Sequence, residues 1–172
     1  PRVNAGGRVG RADAGANLLS TDDPAEARRI AEELDTFNAE RRAIEAAVQE
    51  AVIAKADAGG DDGPIAVIAG AGWHPGVIGI VASRLRDHVG KPAMVIGVEN
   101  GIGKGSGRSL PGFDLGAAVI AAGEAGLLVN GGGHAMAAGL TVNEDRIPDL
   151  REFLATRAGA AGGAGAGERL RR

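Results

Sequence analysis

Apolar residues recur at helical spacing in the part of the chain that follows Ser20, and they predict one long helix. Asp23 is a suitable N-cap and precedes Pro24, which fits the first helical position, and Glu26 stands three residues after the cap, as in a capping box. The apolar positions of this helix are Ile30, Leu34, Phe37, Ile44, Val48 and Val52. At ~1.5 Å per residue the helix would be ~50 Å long. That length suits a connector between two lobes.

A strand, a helix and a second strand are predicted after the turn cluster at 58–64. Residues 65–70 and 93–98 are short apolar runs rich in β-branched side chains, which is typical of buried strands. Residues 76–89 between them have an amphipathic pattern with Val77, Ile80, Val81 and Leu85 inward. This βαβ unit predicts a sheet of partly parallel character, with ligand sites near its strand ends.

The remaining segments complete an α/β fold class. We predict a loop over 1–20, helices over 114–122 and 147–157, and a strand over 139–142. Residues 158–167 consist of glycine and alanine, and the low complexity of this stretch predicts a flexible tail over 158–172. The expected architecture is a long N-terminal connector helix followed by a compact domain, with a mixed β-sheet flanked by helices.

Composition excludes several classes of site and protein. The 172 residues are 44% hydrophobic, enough for a buried core, but aromatic residues make up 2%, so stacking of bases on aromatic rings is nearly excluded. There is no cysteine, which removes disulfides and thiolate metal sites and favours a reducing compartment. Neither a membrane-spanning run nor a signal-peptide pattern is present, so we expect a cytoplasmic protein without a membrane partner. Because the chain opens at Pro1 in a motif-like stretch, we interpret it as a piece of a longer protein.

Charge is distributed unevenly along the chain. The net charge is −3, but residues 22–62 contain twelve acidic and five basic side chains, so this segment carries −7 and the remainder carries +4. The positive excess lies where the glycine-rich motifs are. A local anion site is therefore compatible with an acidic protein.

Four glycine-rich clusters are candidates for such a site: NAGGRVGR (4–11), GWHPGVIG (72–79), GKGSGRS (103–109) and NGGGHAMAAG (130–139). Glycine allows close approach of a ligand to the backbone, and successive N–H groups form anion-binding concavities. Ser106 and Ser109 add hydroxyl donors, and the Arg108 guanidinium matches a pair of phosphate oxygens. The alternative interpretation of each cluster is a tight turn.

Other phosphate-binding and metal-binding signatures are missing. Neither a P-loop nor a dinucleotide-binding fingerprint has the required spacing. We expect His88, near a helix end, to be structural, and a supporting role is more common than catalysis for an isolated His74 or His134. The position of His134 after three glycines is compatible with the start of a short helix whose N–H groups face an anion. No partner occurs at metal-ligand spacing, so we expect no metal in this chain.

Three motifs in order, GWHPGVIGIVASRL, GKGSGRSLPGFDL and GGGHAMAAGLTV, resemble the DHH-associated domain of the RecJ single-strand-specific exonucleases. PRVNAGGRVG and the TDDPAEA helix resemble the end of that family's DHH domain and its connector. The resemblance implies a DHH remnant over 1–22, the connector over 23–58, the DHH-associated domain over 64–157 and the tail over 158–172. GGGH alone also occurs in other DHH phosphodiesterases and in the terminal domain of alanyl-tRNA synthetases.

The resemblance implies a two-lobed enzyme that removes nucleotides from the 5′ end of single-stranded DNA in repair and recombination. Its Mn²⁺ or Mg²⁺ would be held by aspartates and histidines of the DHH lobe. The triplet DHH occurs nowhere in the 172 residues. We therefore expect this chain to contain no catalytic residue and no metal, and to be inactive without the missing N-terminal DHH domain.

The resemblance also implies roles for individual residues in a cleft that holds single-stranded DNA, with RNA as the alternative. Those expected to bind phosphates are Lys104, Ser106, Arg108 and Ser109. Those expected to line the same cleft are Gly132, Gly133 and His134, with Arg8 approaching from the DHH side and Trp73 and His74 shaping the wall. Two other functions stay open: part of a small-substrate DHH phosphodiesterase or oligoribonuclease, and a non-catalytic RNA-binding module.

Overall fold

The computed structural model describes residues 2–60 and 63–169. Its first segment contains helices α1 (Gly6–Val9) and α2 (Ala14–Ser20), where the sequence predicted a loop. The buried and half-buried side chains of one small apolar cluster join α2 to the next helix: Ala14, Leu18, Ile30, Leu34 and Phe37. The glycine-rich segment is therefore helical because it packs on a neighbour, since isolated helices this short are unstable in water.

The long predicted helix is confirmed as α3 (Pro24–Lys55). The Asp23 carboxylate accepts a hydrogen bond from the Ala25 amide at 2.9 Å, which satisfies one of the free N–H groups of the first turn. Glu26 differs from the capping-box expectation, because its carboxylate accepts a bond from the Thr21 hydroxyl at 3.1 Å. The helix continues into a π-helical segment, Ala56–Gly60.

The apolar stripe of α3 packs against two different partners. Ile30 and Leu34, in its first half, belong to the small cluster with α2. Val48 and Val52, in its second half, are buried against α4 (Pro75–Val89) and the sheet. One helix thus joins the N-terminal segment to the main domain.

The main domain contains a five-stranded mixed sheet, which confirms the predicted fold class. Its strands are β1 (Ala66–Ala71), β2 (Ala93–Glu99), β3 (Ile102–Arg108), β4 (Asn130–His134) and β5 (Ala137–Asn143). They lie in the order β1-β2-β3-β5-β4. β1 and β2 are parallel and joined by α4, as the βαβ pattern predicted, and the other pairs are antiparallel.

The GKGSGRS stretch forms the central strand β3, so it is not a tight turn, which was the alternative interpretation of this cluster. Every second residue is a glycine that faces the core. A Cβ atom at Gly105 would lie 2.7 Å from Leu140 Cδ1, and one at Gly107 would lie 2.7 Å from Leu115 Cδ2. The alternating glycines therefore make room for large apolar neighbours.

Helices α5 (Leu115–Glu124) and α6 (Ile147–Arg169) cover this glycine side of the sheet, and the 3₁₀ turn Glu144–Arg146 precedes α6. The predicted α6 ended at 157, but the helix extends twelve residues further, and Ala158 is buried at 6% exposure. The tail predicted over 158–172 is thus helical through Arg169, and its last three residues lie outside the described range. No helix in the described ranges is long and apolar enough to cross a bilayer.

Candidate functional site

Strands β3, β5 and β4 present a polar surface on the side opposite α5 and α6. Strand register aligns Arg108 with Ala137 and His134 in one row, and Ser106 with Gly139 and Gly132 in the next. A third row aligns Lys104 with Thr141 and Asn130. We call these three rows the polar sheet face. It brings together five of the residues that the sequence singled out: Lys104, Ser106, Arg108, Gly132 and His134.

Arg108 is the half-buried cation of the polar sheet face. Its Nη1 donates to Ser106 Oγ at 3.1 Å and to the Gly107 carbonyl at 2.8 Å. Within residues 2–60 and 63–169 no carboxylate pairs with it. Burial lowers the pKa of the Arg108 guanidinium from its ordinary value, and the positive charges of Arg86 and Arg8 lower it further. Because arginine nevertheless stays protonated, the site favours a bound anion.

The first turns of α4 lie against this part of β3. A Cβ atom at Gly79 would lie 3.0 Å from Arg108 Nη2 and 3.1 Å from Ser106 Oγ, so the missing side chain leaves room for both groups. His74 is the N-cap of α4, and its Nδ1 accepts a hydrogen bond from the Gly76 amide at 3.0 Å. This bond satisfies one of the free N–H groups in the first turn of α4.

Arg8 reaches the same region from α1. Its Nη1 donates to the Gly76 carbonyl at 3.1 Å. The packing is tight, because a Cβ atom at Gly76 would clash with the Arg8 carbonyl oxygen. The structure thus brings a residue of the first motif to the N-terminal turn of α4.

Trp73 lies at the far end of the row that contains Lys104. Its ring covers Gly70, and its backbone lies over Gly97, which pairs with Lys104. Lys55 Nζ is 5.2 Å from the centre of the indole ring, within the range of a cation–π contact. Lys104 Nζ donates to the Thr141 hydroxyl at 3.0 Å. Trp73 therefore lies beside the Lys104 row of the polar sheet face.

Ser109 occupies a different environment from the one expected of a phosphate ligand. Its side chain is fully buried, and its hydroxyl donates to the Phe113 carbonyl at 2.7 Å. Its amide donates to the Met136 carbonyl at 2.9 Å. The hydroxyl is therefore committed to holding the turn after β3.

The NGGGH motif forms an edge strand, and its last three residues differ in role. A Cβ atom at Gly132 would meet no atom within 4 Å, so this glycine leaves an open patch on the polar sheet face. A Cβ atom at Gly133 would clash with the Ala137 carbonyl oxygen, so this glycine is required by the β4–β5 hairpin. His134 is exposed and ends the strand. It does not begin a helix, because the chain reverses into β5.

Sequence reasoning missed two cations and one hydroxyl near the site. Arg86 acts on Arg108 through its charge, Lys55 contacts Trp73, and Thr141 binds Lys104. All three interactions join residues far apart in the sequence, so no local motif signals them. The expected structural role of His88 agrees with its ring position, 2.9 Å from the Asp57 carboxylate.

Across the described residues, no three histidine or acidic side chains converge as a metal site would require. The donors present therefore do not fit a divalent metal ion.

A family model for the DHHA1 domain matches residues 62–165. The "Single-stranded-DNA-specific exonuclease RecJ" of Bacillus subtilis (strain 168) is 42% identical over 156 residues, which is 90% of this chain and 20% of that protein. The protein of the same description from Thermus thermophilus is 36% identical over 151 residues, covering 88% and 21% respectively. The chain thus spans about a fifth of the length of these relatives.

Solved structures agree with these matches. The crystal structure of RecJ in complex with Mg²⁺ from Thermus thermophilus superposes with a TM-score of 0.83 and 34% identity, over 93% of this chain and 24% of that one. A structure of RecJ from the same organism in complex with Mn²⁺ gives 0.82 and the same identity. By its motifs, its fold and these similarities, the chain belongs to the DHHA1 domain family and corresponds to the C-terminal part of a RecJ-like nuclease.

Proposed function

We propose that this chain is the substrate-binding part of a RecJ-like single-stranded-DNA exonuclease and that the polar sheet face binds phosphates of the strand. The observation that carries the proposal is Arg108, a half-buried guanidinium without a carboxylate partner among the described side chains. Arg8 adds positive charge to its surroundings, and so does Arg86, whose guanidinium also pairs with Asp87. A phosphate oxygen pair would supply the missing negative charge in a geometry that a guanidinium recognises.

Neighbouring groups support binding of a nucleic-acid backbone. Ser106 Oγ lies beside the guanidinium and offers a hydroxyl. Lys104, two residues before Ser106 on the same strand, adds a second cation. Gly132 and Gly139 leave the same face without side chains, and neither glycine is required by close contacts with the described residues. Bare backbone of this kind permits the close approach that a sugar-phosphate chain needs.

We further propose a division of labour between this chain and a DHH lobe. Residues 1–22 would belong to the end of that lobe, 23–58 would connect, and 64–157 would hold the substrate. Metal ions bound by the lobe would activate water and stabilise the leaving oxygen, and the polar sheet face would position the phosphate in line. RecJ relatives have been crystallised with Mg²⁺ and Mn²⁺, which supports the metal requirement of the complete enzyme.

Binding and cleavage by the 172-residue chain test the proposal. We expect it to bind a 5′-phosphorylated single strand in fluorescence anisotropy, and to leave the strand intact with Mn²⁺ or Mg²⁺. Arg108→Ala should weaken binding at least tenfold, because a hydrogen bond to a charged group contributes about 1.5–3 kcal/mol. Arg157→Ala, on α6 at the opposite side of the sheet, is the matched control and should bind as the wild type does.

Three other results would contradict different parts of the proposal. Metal-dependent digestion would place catalysis within this chain. Tighter binding of a short RNA than of a long DNA strand would favour a small-substrate phosphodiesterase. Equal affinity of wild type and Arg108→Ala would remove the polar sheet face from substrate binding.

A further inference from the structure

A second basic site lies between α1, α3 and α4. It is a cleft of about 520 Å³ whose lining includes four arginines: Arg8, Arg41, Arg42 and Arg84. Glu45 is the single acidic residue of the lining. We call this site the arginine cleft. Its positive character is unexpected, because the segment 22–62, which supplies much of its wall, carries a net charge of −7.

Only one of the four arginines is neutralised within the described part of the chain. Arg41 is buried and pairs with Glu45, and it also donates to Asn38 Oδ1 at 3.3 Å. Arg42 and Arg84 are exposed and form no ion pair or hydrogen bond with any described residue. Arg8 donates only to a backbone carbonyl. The arginine cleft therefore contains three guanidinium groups without a carboxylate partner.

Arg8 connects the arginine cleft with the polar sheet face. Its backbone is packed on Gly76, in the first turn of the helix that covers Ser106 and Arg108. Its charge also acts on Arg108. Unpaired positive charge thus continues from Arg42 and Arg84, through Arg8, to the polar sheet face. A ligand with regularly repeated negative charges is complementary to this arrangement.

We infer that the arginine cleft is a second phosphate subsite, which binds further phosphates of the strand whose first phosphate lies at Arg108. The inference rests on the proposed function, because it assigns a continuation of the same substrate. The described lining contains arginines, an amide from Asn4 and another from Gln49, and no aromatic ring. Contacts there are therefore with the phosphate backbone and are independent of base sequence.

DNA ligands of different length distinguish the two subsites experimentally, because a short ligand reaches only one of them. We compare a 5′-phosphorylated dinucleotide, which occupies the polar sheet face, with a strand of about twenty nucleotides, longer than the usual binding site of a single domain. The variant is Arg42→Ala/Arg84→Ala. Its matched control is Arg28→Ala/Arg29→Ala, which removes the same charge from exposed positions of α3 outside the cleft.

For the long strand we expect the cleft variant to bind at least tenfold more weakly than the wild type. The slope of log affinity against log salt should fall by about 1.4, since each phosphate of a single strand that a protein cation neutralises contributes about 0.7 to the slope. The dinucleotide should bind the variant and the wild type equally. The control pair should change neither the affinity nor the slope for either ligand.

Two results would overturn the inference. An unchanged slope and affinity for the long strand would show that no phosphate lies in the arginine cleft. An equal loss of affinity for both ligands, seen also in the Arg28→Ala/Arg29→Ala control, would show a general effect of net charge. If the polar sheet face binds the first phosphate, Arg108→Ala must lower the affinity for both ligands. Unchanged affinity in that variant would therefore contradict the proposed function independently of the arginine cleft. If the alanine variant has a lower melting temperature, Arg42→Gln/Arg84→Gln, which retains part of each apolar stem, is measured instead.

Discussion

Arg108 and Ser109 are neighbours in the chain, but their side chains have opposite surroundings. The Arg108 guanidinium lies half-buried at the polar sheet face without a carboxylate partner in the described structure, and the Ser109 hydroxyl is fully buried against the Phe113 carbonyl. Because both side chains carry hydrogen-bond donors, the sequence predicted that both would bind phosphate. The Ser109 hydroxyl is used inside the fold. Of the two side chains, only Arg108 is therefore able to bind a ligand at the polar sheet face.

Substitution of Ser109 separates these roles. Ser109→Ala should lower the free energy of unfolding by about 1–3 kcal/mol, because it leaves the Phe113 carbonyl without its buried donor. Affinity for single-stranded DNA should stay at the wild-type level. Urea denaturation and anisotropy measure the two quantities. A weakened affinity with unchanged stability would instead make Ser109 a phosphate ligand.

At the scale of elements, glycines serve two different purposes in β3 and β4. Those of β3 lie against Leu140, Leu115 and other core side chains, so they are a consequence of packing. In β4, Gly132 has open space where a side chain would be, whereas Gly133 is in close contact with β5. A glycine-rich strand therefore combines positions that the fold requires with positions that the fold leaves free.

Gly132→Ala and Gly133→Ala form a matched pair in the β4–β5 hairpin. Gly132→Ala should leave the melting temperature unchanged or slightly higher, because alanine fits the space and restricts the unfolded chain. The substitution should lower the affinity for single-stranded DNA, since the added methyl group lies on the polar sheet face. Gly133→Ala should lower the melting temperature by several degrees, because its Cβ would clash with a carbonyl oxygen of β5. Thermal unfolding followed by circular dichroism tests both, and equal melting temperatures would contradict the distinction.

At the scale of the whole molecule, the apolar residues form separate clusters, and α3 contributes to two of them but not to the large one. Leu34 belongs to the small cluster with α2, and Leu150 belongs to the large cluster between the sheet and α5 and α6. Both side chains are almost fully buried, at 2% and 0% exposure. Equal burial in clusters of different size predicts unequal effects on the molecule.

Leu34→Ala should accelerate amide hydrogen exchange mainly over residues 5–38 and leave the strands protected. Leu150→Ala should accelerate exchange throughout the sheet, with a loss of about 2–5 kcal/mol in the free energy of unfolding. Hydrogen exchange measured by mass spectrometry resolves the two segments. A uniform increase in both variants would show that the clusters unfold as one cooperative unit.

The sequence by itself determined the elements whose causes are local. Asp23 and the apolar period define α3, and continuous β-branched runs define β1 and β2, since capping and periodicity act over a few residues. Ordered motifs were sufficient to identify the family. The face on which Lys104, Ser106 and Arg108 lie was not predicted, although their period of two is a strand signal.

Tertiary structure alone decided the features that depend on distant partners. The contact between Arg8 and Gly76 joins residues 68 positions apart, and the bond from Lys104 to Thr141 joins residues 37 apart. The burial of Ser109 and the approach of Arg42 and Arg84 likewise require assembled elements. A sequence shows which donors and charges are present, but packing decides which remain free, because a buried polar group must find its partner inside the fold.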